Sequence, residues 1–330
     1  MNKQNISTSS CPYEGPARPD LVCIGTALVD SIIRGFDPVP VSASGFTAAS
    51  GSLNVGGEAV NQAMAAAKLG LRTSILCRLG NDGAGSMVRA ALEEAGVSTG
   101  LIIFSDDAPT PVTTMFVNED GSRKSVTNGS HRYNFHPEKY MDTAAGARAV
   151  SLGSLFRAPF DDPGIIYDVL SRAAGQTDRG TFVFADTKLP NFTKLTLDDI
   201  KDSLPLIDYI TPNEDEAGYY SGKDTPEEMA DVFLDRGVKN VIVKLGAKGC
   251  YFKNADRSFL LPPYRIDAVD ATGAGDNFMA GFIYSILNGS SDHEALKFAN
   301  ACGAICTMAT GAAAGLKSAG QVLAFMKNNA

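Results

Sequence analysis

The chain has 330 residues, of which 44% are hydrophobic, and a formal net charge of −8 at pH 7. This length and apolar content are sufficient for a large domain with a buried core. The acidic balance excludes nucleic acid as the main partner, because no basic stripe is available to neutralise phosphates. No sequence window is apolar enough for a membrane span, whereas a nucleotide ligand needs only a few local donors.

Residues 1–20 carry Ser, Pro and Gly without an apolar run, and we expect a flexible N-terminal tail there rather than a signal peptide. One α/β domain then extends over residues 21–330. The six cysteines form no CxxC pair. Cys302 and Cys306 lie one helical turn apart, which allows a metal pair but is more typical of small buried thiols. We therefore expect a soluble, cytoplasmic protein.

In chain order, buried strands alternate with helices. Strands are predicted at 21–25, 73–79, 149–152, 181–186, 208–211 and 240–245, and helices at 59–69, 86–95, 163–174, near 197–204, and at 214–221, 226–236, 277–287 and 295–308. This alternation predicts a mostly parallel central sheet with helices on both faces, which is a three-layer α/β sandwich. Such sheets bind ligands outside the carboxyl ends of their strands.

Two segments interrupt the alternation, at about residues 32–55 and 101–127. The first is rich in Ser and Gly, and the second contains a hairpin pattern around Glu119-Asp120-Gly121. We interpret both as parts of a small β-lid over the ligand cleft, although an ordinary hairpin at the sheet edge fits the pattern equally well. A lid suits chemistry from which water must be excluded.

The most informative motif is Asp270-Ala271-Thr272-Gly273-Ala274-Gly275-Asp276. Phe278, Phe282 and Ile286 follow it at intervals of four residues, so the motif leads into a helix with a buried face. Backbone N–H groups at a helix N-terminus are unpaired and, with the helix dipole, favour an anion.

This placement predicts phosphoryl-transfer chemistry for the motif. Asp276 would accept the proton of an attacking hydroxyl group, and the amides of Gly273, Ala274 and Gly275 would hold the developing negative charge. The structural alternative is a glycine-rich turn in which Asp276 caps the helix.

A second motif, Gly56-Gly57-Glu58-Ala59-Val60-Asn61, leads into an alanine-rich helix. Paired glycines allow the backbone to approach a small polar ligand closely, and an amide such as Asn61 can both donate to and accept from sugar hydroxyls. Asp30 adds a carboxylate after the first strand. A tight loop entering a helix, with a surface acid nearby, explains the same residues.

A third motif, Thr211-Pro212-Asn213-Glu214-Asp215-Glu216, follows a strand and opens a helix. The spacing of Asn213 and Glu216 suits the organisation of Mg²⁺-bound water, and it equally suits a capping box. The segment Lys244–Gly249 ends a strand in a glycine turn that could hold nucleotide phosphates or ribose.

In order and spacing, these motifs resemble those of the ribokinase-like (PfkB) carbohydrate kinases, over about residues 21–328. The resemblance implies the ribokinase-like fold, a Rossmann-like α/β domain with a β-lid. It also implies ATP with Mg²⁺ as the phosphoryl donor and a sugar hydroxyl as the acceptor. Lids in this family often pair between two chains, so we expect a homodimer.

The resemblance also implies roles for individual residues. Asp276 matches the catalytic base, and Gly273 to Gly275 match the anion hole. The residues matching sugar contacts are Asp30, Gly56, Gly57 and Asn61. Those matching nucleotide and magnesium contacts are Asn213, Glu216, Lys244, Gly246, Gly249, Gly275 and Asn300. A potassium site corresponds to Asp270, Thr272, Ala309 and Gly311.

The chain departs from ribokinases at some positions. Glu58-Ala59 replaces the usual Lys-Gly, and residues 151–154 lack the usual sugar-binding glutamate. Ribose, fructose, another hexose or a nucleoside therefore all stay open as acceptors, with Phe36 and Phe46 available for a nucleoside base. A non-catalytic sugar-binding sensor on the same fold is the alternative from another class of protein. Such a sensor would be expected to lose the base or the anion hole, and this chain keeps both. Lys188 and Arg157 each follow a predicted strand and could contact a phosphate, but we interpret each as a surface charge.

Overall fold

The computed structural model describes residues 18–35, 47–118, 123–128, 135–144, 146–175 and 180–329. Residues 1–17, Phe36, Phe46 and the predicted turn at 119–122 lie outside these ranges. Asp20, the last residue of the predicted tail, is fixed to the domain, because its carboxylate accepts hydrogen bonds from Arg72 and Arg148.

The described residues form strands and helices that we number in chain order. The strands are β1 (Leu21–Ile24), β2 (Leu28–Arg34), β3 (Ser50–Gly56), β4 (Thr73–Leu76), β5 (Arg78–Gly80), β6 (Ile103–Ser105), β7 (Val112–Val117), β8 (Arg123–Thr127), β9 (Ala149–Leu155), β10 (Phe182–Thr187), β11 (Tyr209–Ile210), β12 (Asn240–Lys244), β13 (Cys250–Asn254) and β14 (Ser258–Leu261). The helices are α1 (Glu58–Leu69), α2 (Gly83–Glu94), α3 (Met141–Ala144), α4 (Pro163–Ala174), α5 (Glu214–Ser221), α6 (Pro226–Leu234), α7 (Ala274–Leu287), α8 (Asp292–Thr307) and α9 (Ala319–Asn328).

The central sheet has eight strands in the order β14-β13-β12-β11-β10-β9-β1-β4. In this sheet β12, β11, β10, β9, β1 and β4 pair in parallel. The strands β13 and β14 extend the sheet in antiparallel pairing, and the sequence did not predict them. Because the chain leaves β1 toward β4 and later returns beside it as β9, the strand order reverses at β1. A cleft therefore opens at the carboxyl ends of β1 and β9.

Alternate side chains of the strands enter two separate cores. In β1, Leu21 and Cys23 pack among residues of α1, α7 and α8, whereas Val22 and Ile24 pack against α4 and α6. Helices thus cover both faces, and the predicted three-layer α/β sandwich is confirmed. Within the described part of the chain, no helix is long and apolar enough to cross a membrane.

A separate four-stranded sheet has the order β3-β2-β7-β8. It is built from the two segments that interrupt the predicted alternation. Cross-strand register places Leu53, Ser31, Thr114 and Val126 in one row on the same face. Asp30 lies on the opposite face, because successive residues of a strand point in opposite directions.

Two sequence predictions about elements were wrong. The helix predicted near 197–204 is replaced by short 3₁₀ turns at Asp198–Ile200 and Leu204–Leu206. Pro205 has no N–H to donate to the carbonyl of residue 201, so no α-helical hydrogen bond joins the two turns at that point. The strand predicted at 73–79 divides after Leu76, and its second part, β5, pairs with β6 outside the central sheet.

The backbone is packed very closely where β1 meets α1. Gly57 precedes α1 with a φ of 103°, and a Cβ added there would lie 2.2 Å from the carbonyl oxygen of Thr26. Only glycine fits this position, because both the conformation and the space exclude a side chain.

We predict that Gly57→Ala lowers the free energy of unfolding by more than the ~1–3 kcal/mol of conformational strain alone. Gly70→Ala is the matched control, since Gly70 has a similar φ of 108° but nothing lies within 4 Å of an added Cβ. Urea unfolding of the variants measures the difference. Equal losses would show that the approach of Thr26 to Gly57 is unimportant.

Candidate active site

Asp276 lies in the first turn of α7 and is only 7% exposed. Its Oδ2 accepts a hydrogen bond of 2.8 Å from Asn61 Nδ2, and Gln62 Nε2 lies 3.5 Å from its Oδ1. Gln62 is held in turn by the hydroxyl of Ser151, which donates to its Oε1 at 2.7 Å. The first turns of α1 and α7 are thus joined at one carboxylate.

The environment of Asp276 changes its acidity. Burial raises the pKa of Asp276 to about 7, and the nearby carboxylate of Glu58 acts in the same direction. A carboxylate that titrates near neutral pH is a far better proton acceptor than an ordinary one. Asp276 therefore has the properties of a general base.

The backbone before Asp276 forms the start of α7. Gly273 is the N-cap residue, and the N–H of Ala274 donates to the carbonyl of Ala271 at 3.2 Å. Of the three amides in the predicted anion hole, that of Ala274 is therefore already engaged within the turn. The anion-binding property of this end comes from the remaining first-turn N–H groups and the helix dipole.

Lys244 places a positive charge beside this helix end. A Cβ added to Gly275 would lie 3.3 Å from Lys244 Nζ, so glycine permits the close approach of the ammonium group. Lys244 Nζ is held 2.7 Å from Oδ1 of Asp186, in a largely buried ion pair. A helix N-terminus and a fixed ammonium group together favour a phosphate.

The acceptor side of the cleft contains Asp30 and the paired glycines. Asp30 Oδ2 lies so close to Gly56 that an added Cβ would be 2.4 Å away. Burial raises the pKa of Asp30 to about 6, with a further contribution from Glu58. The Oδ1 atom of Asn61 is buried and has no hydrogen-bond partner among the described residues. An orphaned acceptor of this kind is costly unless a ligand donates to it.

Asn213 and Glu216 lie on the other side of the cleft and form a capping box. The Asn213 side chain accepts from the Glu216 N–H at 2.9 Å, and Glu216 Oε2 accepts from the Asn213 N–H at 3.0 Å. Glu216 Oε2 also accepts from the Thr187 hydroxyl at 2.8 Å. Burial and the neighbouring Asp186 raise the pKa of Glu216. The capping interpretation is thus confirmed, and it leaves the Glu216 carboxylate next to the Asp186–Lys244 pair.

The remaining predicted nucleotide residues are placed apart from this cluster. Gly246 is exposed in a 3₁₀ turn, and Gly249 is buried against the carbonyl of Leu261. The amide of Asn300, on α8, donates to the carbonyl of Pro262 at 3.2 Å. These residues lie along the path from β12 to α8.

The residues of the predicted potassium site surround the start of α7. Asp270 accepts bonds from the Thr272 N–H and hydroxyl at 2.9 and 2.6 Å and from the Gly311 N–H at 3.0 Å. It therefore fastens the loop containing Ala309 and Gly311 to the motif. Cys306 donates to the carbonyl of Thr272 at 3.4 Å. Within the described residues, no three His, Cys, Asp or Glu side chains form a group that could hold a metal ion. Cys302 and Cys306 are free and buried.

The interpretation of Lys188 as a surface charge was wrong. Its Nζ lies 3.2 Å from Oε1 of Glu58, and its side chain is only 35% exposed. The Ser154 hydroxyl holds the other Glu58 oxygen at 2.8 Å. The partners are far apart in sequence, so no local pattern indicated the pair. The available signal for Asp186, Thr187 and Lys188 was their position at the carboxyl end of a buried strand.

The fold and the site together define an α/β class in which a buried carboxylate meets a helix N-terminus at the reversal of strand order. Comparisons with known proteins identify the family. The family model described as "pfkB family carbohydrate kinase" matches residues 18–319. This chain therefore belongs to the pfkB family and is a carbohydrate kinase.

Individual relatives are similar over most of their length. A ribokinase of Haemophilus influenzae is 27% identical over 83% of this chain and 87% of its own. A 2-dehydro-3-deoxygluconokinase of Bacillus subtilis is 29% identical with the same shares covered. The solved structure of an Arabidopsis thaliana ribokinase complexed with ribose and ATP has a TM-score of 0.83 and 26% identity, covering 94% of this chain and 99% of that one.

The raised pKa of Asp276 has a consequence for stability. Because the folded protein holds this carboxyl group at a higher pKa than the unfolded chain does, its ionisation costs stability, and the cost grows as the pH rises from about 4 to above 7. Asn cannot ionise. We therefore predict that Asp276→Asn raises the melting temperature, and that the increase is on the order of 2–4 °C larger at pH 8 than at pH 5.

Asp20→Asn is the control of opposite sign. Hydrogen bonding to Arg72 lowers the pKa of Asp20 to about 2, so its stabilising effect is present at both pH values and is lost only in acid. Asp20→Asn should lower the melting temperature at pH 5 and at pH 8. Calorimetry at both pH values tests the pair, and an Asp276→Asn effect that does not change with pH would contradict the raised pKa.

Proposed function

We propose that this protein transfers the γ-phosphate of ATP to a hydroxyl group of a small sugar such as ribose, fructose or a related carbohydrate. The observation that carries the proposal is the contact between Asp276 and Asn61. Asp276 is buried and has a pKa of about 7, and the Oδ1 atom of Asn61 beside it is an acceptor without a hydrogen-bond partner among the described residues. A sugar offers adjacent hydroxyl groups, so one can donate to Asn61 while its neighbour donates to Asp276. The relatives named ribokinase support the same acceptor class.

In the proposed reaction, Asp30, the backbone at Gly56 and Gly57, and Asn61 bind and orient the sugar. Asp276 accepts the proton of the attacking hydroxyl as the bond to the γ-phosphorus forms and the bond to the bridging oxygen of ADP breaks. The first-turn amides around Gly275, together with Lys244, stabilise the charge on the transferred group. The products of the reaction are a phosphorylated sugar and ADP.

Magnesium would neutralise the triphosphate charge in this reaction. Glu216 is the candidate organiser of its water ligands, since its Oε2 is occupied by Asn213 and Thr187 and the carboxylate keeps a second oxygen. Asn213, Lys244, Gly246, Gly249 and Asn300 are the proposed contacts of the nucleotide along the same side of the cleft.

A potassium ion is proposed next to the anion hole, held by Asp270 and the carbonyls of Thr272, Ala309 and Gly311. Asp270 has three protein donors, and a carboxylate can accept about four hydrogen bonds. Room therefore remains for one cation contact. An oxygen-only ligand set suits a hard cation, which would stiffen the loop against the start of α7.

We also propose that the four-stranded sheet is the lid of the site and that it pairs with a second copy of this chain. Its Asp30 face lies toward the acceptor residues, whereas the opposite face exposes Leu53 by 61% and Val126 by 67%. Apolar side chains on an unpaired sheet need cover. Because ATP supplies the reaction, we place the protein in the cytoplasm.

For the dimer, we predict a dimeric mass in light scattering at micromolar protein. Leu53→Glu combined with Val126→Glu should give a monomer, because the charges cannot be buried between the lids. Leu323→Glu is the control, since Leu323 is 59% exposed on α9, away from the lid. A monomeric wild-type mass would contradict the proposal.

For the reaction, we predict that ADP forms with Mg-ATP and potassium on one member of a panel of pentoses, hexoses, sugar phosphates, sugar acids and nucleosides. Asp276→Asn should lower kcat by about 100- to 10,000-fold, because it removes the base, while acceptor binding in calorimetry persists. Replacing potassium by tetramethylammonium should lower turnover.

The Asp20→Asn variant serves as the matched control, since Asp20 lies at the opposite end of β1 and should leave kcat unchanged. Full activity of Asp276→Asn would exclude Asp276 as the base. Acceptor binding without turnover on any member of the panel would favour a sugar-binding sensor, and turnover on a nucleoside alone would identify a nucleoside kinase.

A further inference from the structure

Lys188 connects the two halves of the cleft. It directly follows Asp186 and Thr187, which bind Lys244 and Glu216 on the nucleotide side at 2.7 and 2.8 Å. Its own ammonium group nevertheless lies 3.2 Å from Glu58, the first residue of α1 on the acceptor side. The side chain therefore spans the space in which a phosphoryl group would pass from donor to acceptor.

The ion pair of Lys188 with Glu58 is open to the cleft. The two side chains are 35% and 25% exposed. Glu58 is fixed independently by the Ser154 hydroxyl at 2.8 Å. An ammonium group carries three N–H donors, so the contact with Glu58 does not exhaust its capacity to bind a ligand.

The charges around Lys188 come from both sides. Burial alone would lower the pKa of Lys188, but the carboxylates of Glu58, Asp276, Asp186 and Glu216 raise it well above its usual range. The ammonium group thus stays charged throughout the neutral range. It lies near enough to Asp276 and to Glu216 for both carboxylates to affect its pKa.

Phosphoryl transfer needs a cation at such a place. The transferred group spreads negative charge over its equatorial oxygens, and here it would approach the carboxylate of Asp276. We propose that Lys188 is a catalytic residue whose ammonium group contacts the phosphoryl group during transfer, and that Glu58 is the residue that positions it. This inference rests on the proposed kinase reaction.

Lys188→Met should lower kcat by about 100-fold or more, as removal of a single charge-stabilising donor does, with the KM of the acceptor changed by less than about threefold. Lys188→Arg should restore part of the loss. Glu58→Gln keeps the ammonium group and should lower kcat by less than about tenfold. A purely structural ion pair would instead make the losses in Lys188→Met and Glu58→Gln similar.

The double variant Glu58→Gln/Lys188→Met separates catalysis from folding. Truncating Lys188 alone leaves Glu58 unpaired, which can destabilise the protein. The double variant removes that charge, so it should recover the melting temperature of the wild type while kcat stays low. Recovery of kcat in the double variant would overturn the proposal.

The pH profile tests whether both charged groups lie beside the base. Lys188 lowers the pKa of Asp276 and Glu58 raises it. The acidic limb of kcat/KM should therefore move to higher pH in Lys188→Met and to lower pH in Glu58→Gln. Shifts in the same direction, or none, would contradict the placement of both groups beside the base.

Lys239→Met is the matched control, because Lys239 pairs with Asp208 at 2.7 Å just before β12, at the end of that strand opposite to Lys244 and the cleft. It should leave kcat and the acidic limb unchanged. Wild-type kcat in Lys188→Met, or a loss confined to the acceptor KM, would overturn the role of Lys188 alone. An inactive wild-type protein would instead contradict the proposed kinase reaction.

Discussion

The hydrogen bond between Asn61 and Asp276 sets the geometry on which the rest of the site depends. It joins residues that are 215 positions apart and brings the first turns of α1 and α7 to one point. Both helices begin at this point, and glycine precedes each of them, Gly57 before α1 and Gly273 before α7. Gly57 packs directly against Thr26. The same junction removes the carboxylate from water, which makes it both a stronger base and a destabilising group.

The balance of charge explains how such a cluster is tolerated. On the nucleotide side Asp186 is neutralised by Lys244, and on the acceptor side Glu58 is neutralised by Lys188. Asp276 forms no ion pair of its own among the described residues, and burial raises its pKa to about 7, so its ionised form predominates only above about pH 7. Each lysine thus limits the repulsion between neighbouring acids while remaining next to the proposed path of the phosphoryl group.

The sequence predicted those parts of the fold and the candidate site that depend on local pattern. The start of α7, the capping box of α5 and the parallel sheet follow from glycine placement, capping residues and alternation, and each is present. The contacts that sequence could not predict depend on tertiary structure. Glu58 was noted only as a departure from a family pattern, and its partner Lys188 lies just after β10, far away in sequence. The antiparallel strands β13 and β14 extend the sheet without a helix between them, so no alternation indicated them.

The pH dependence of kcat/KM for the preferred acceptor tests the central claim most directly, because it reports the protonation of the free enzyme's base. With Asp276 buried as described, kcat/KM should fall about tenfold per pH unit below a midpoint near pH 7, and it should level off above that pH. A profile that stays flat down to about pH 5 would show that the base has the ordinary pKa of an exposed carboxylate, and it would contradict the account.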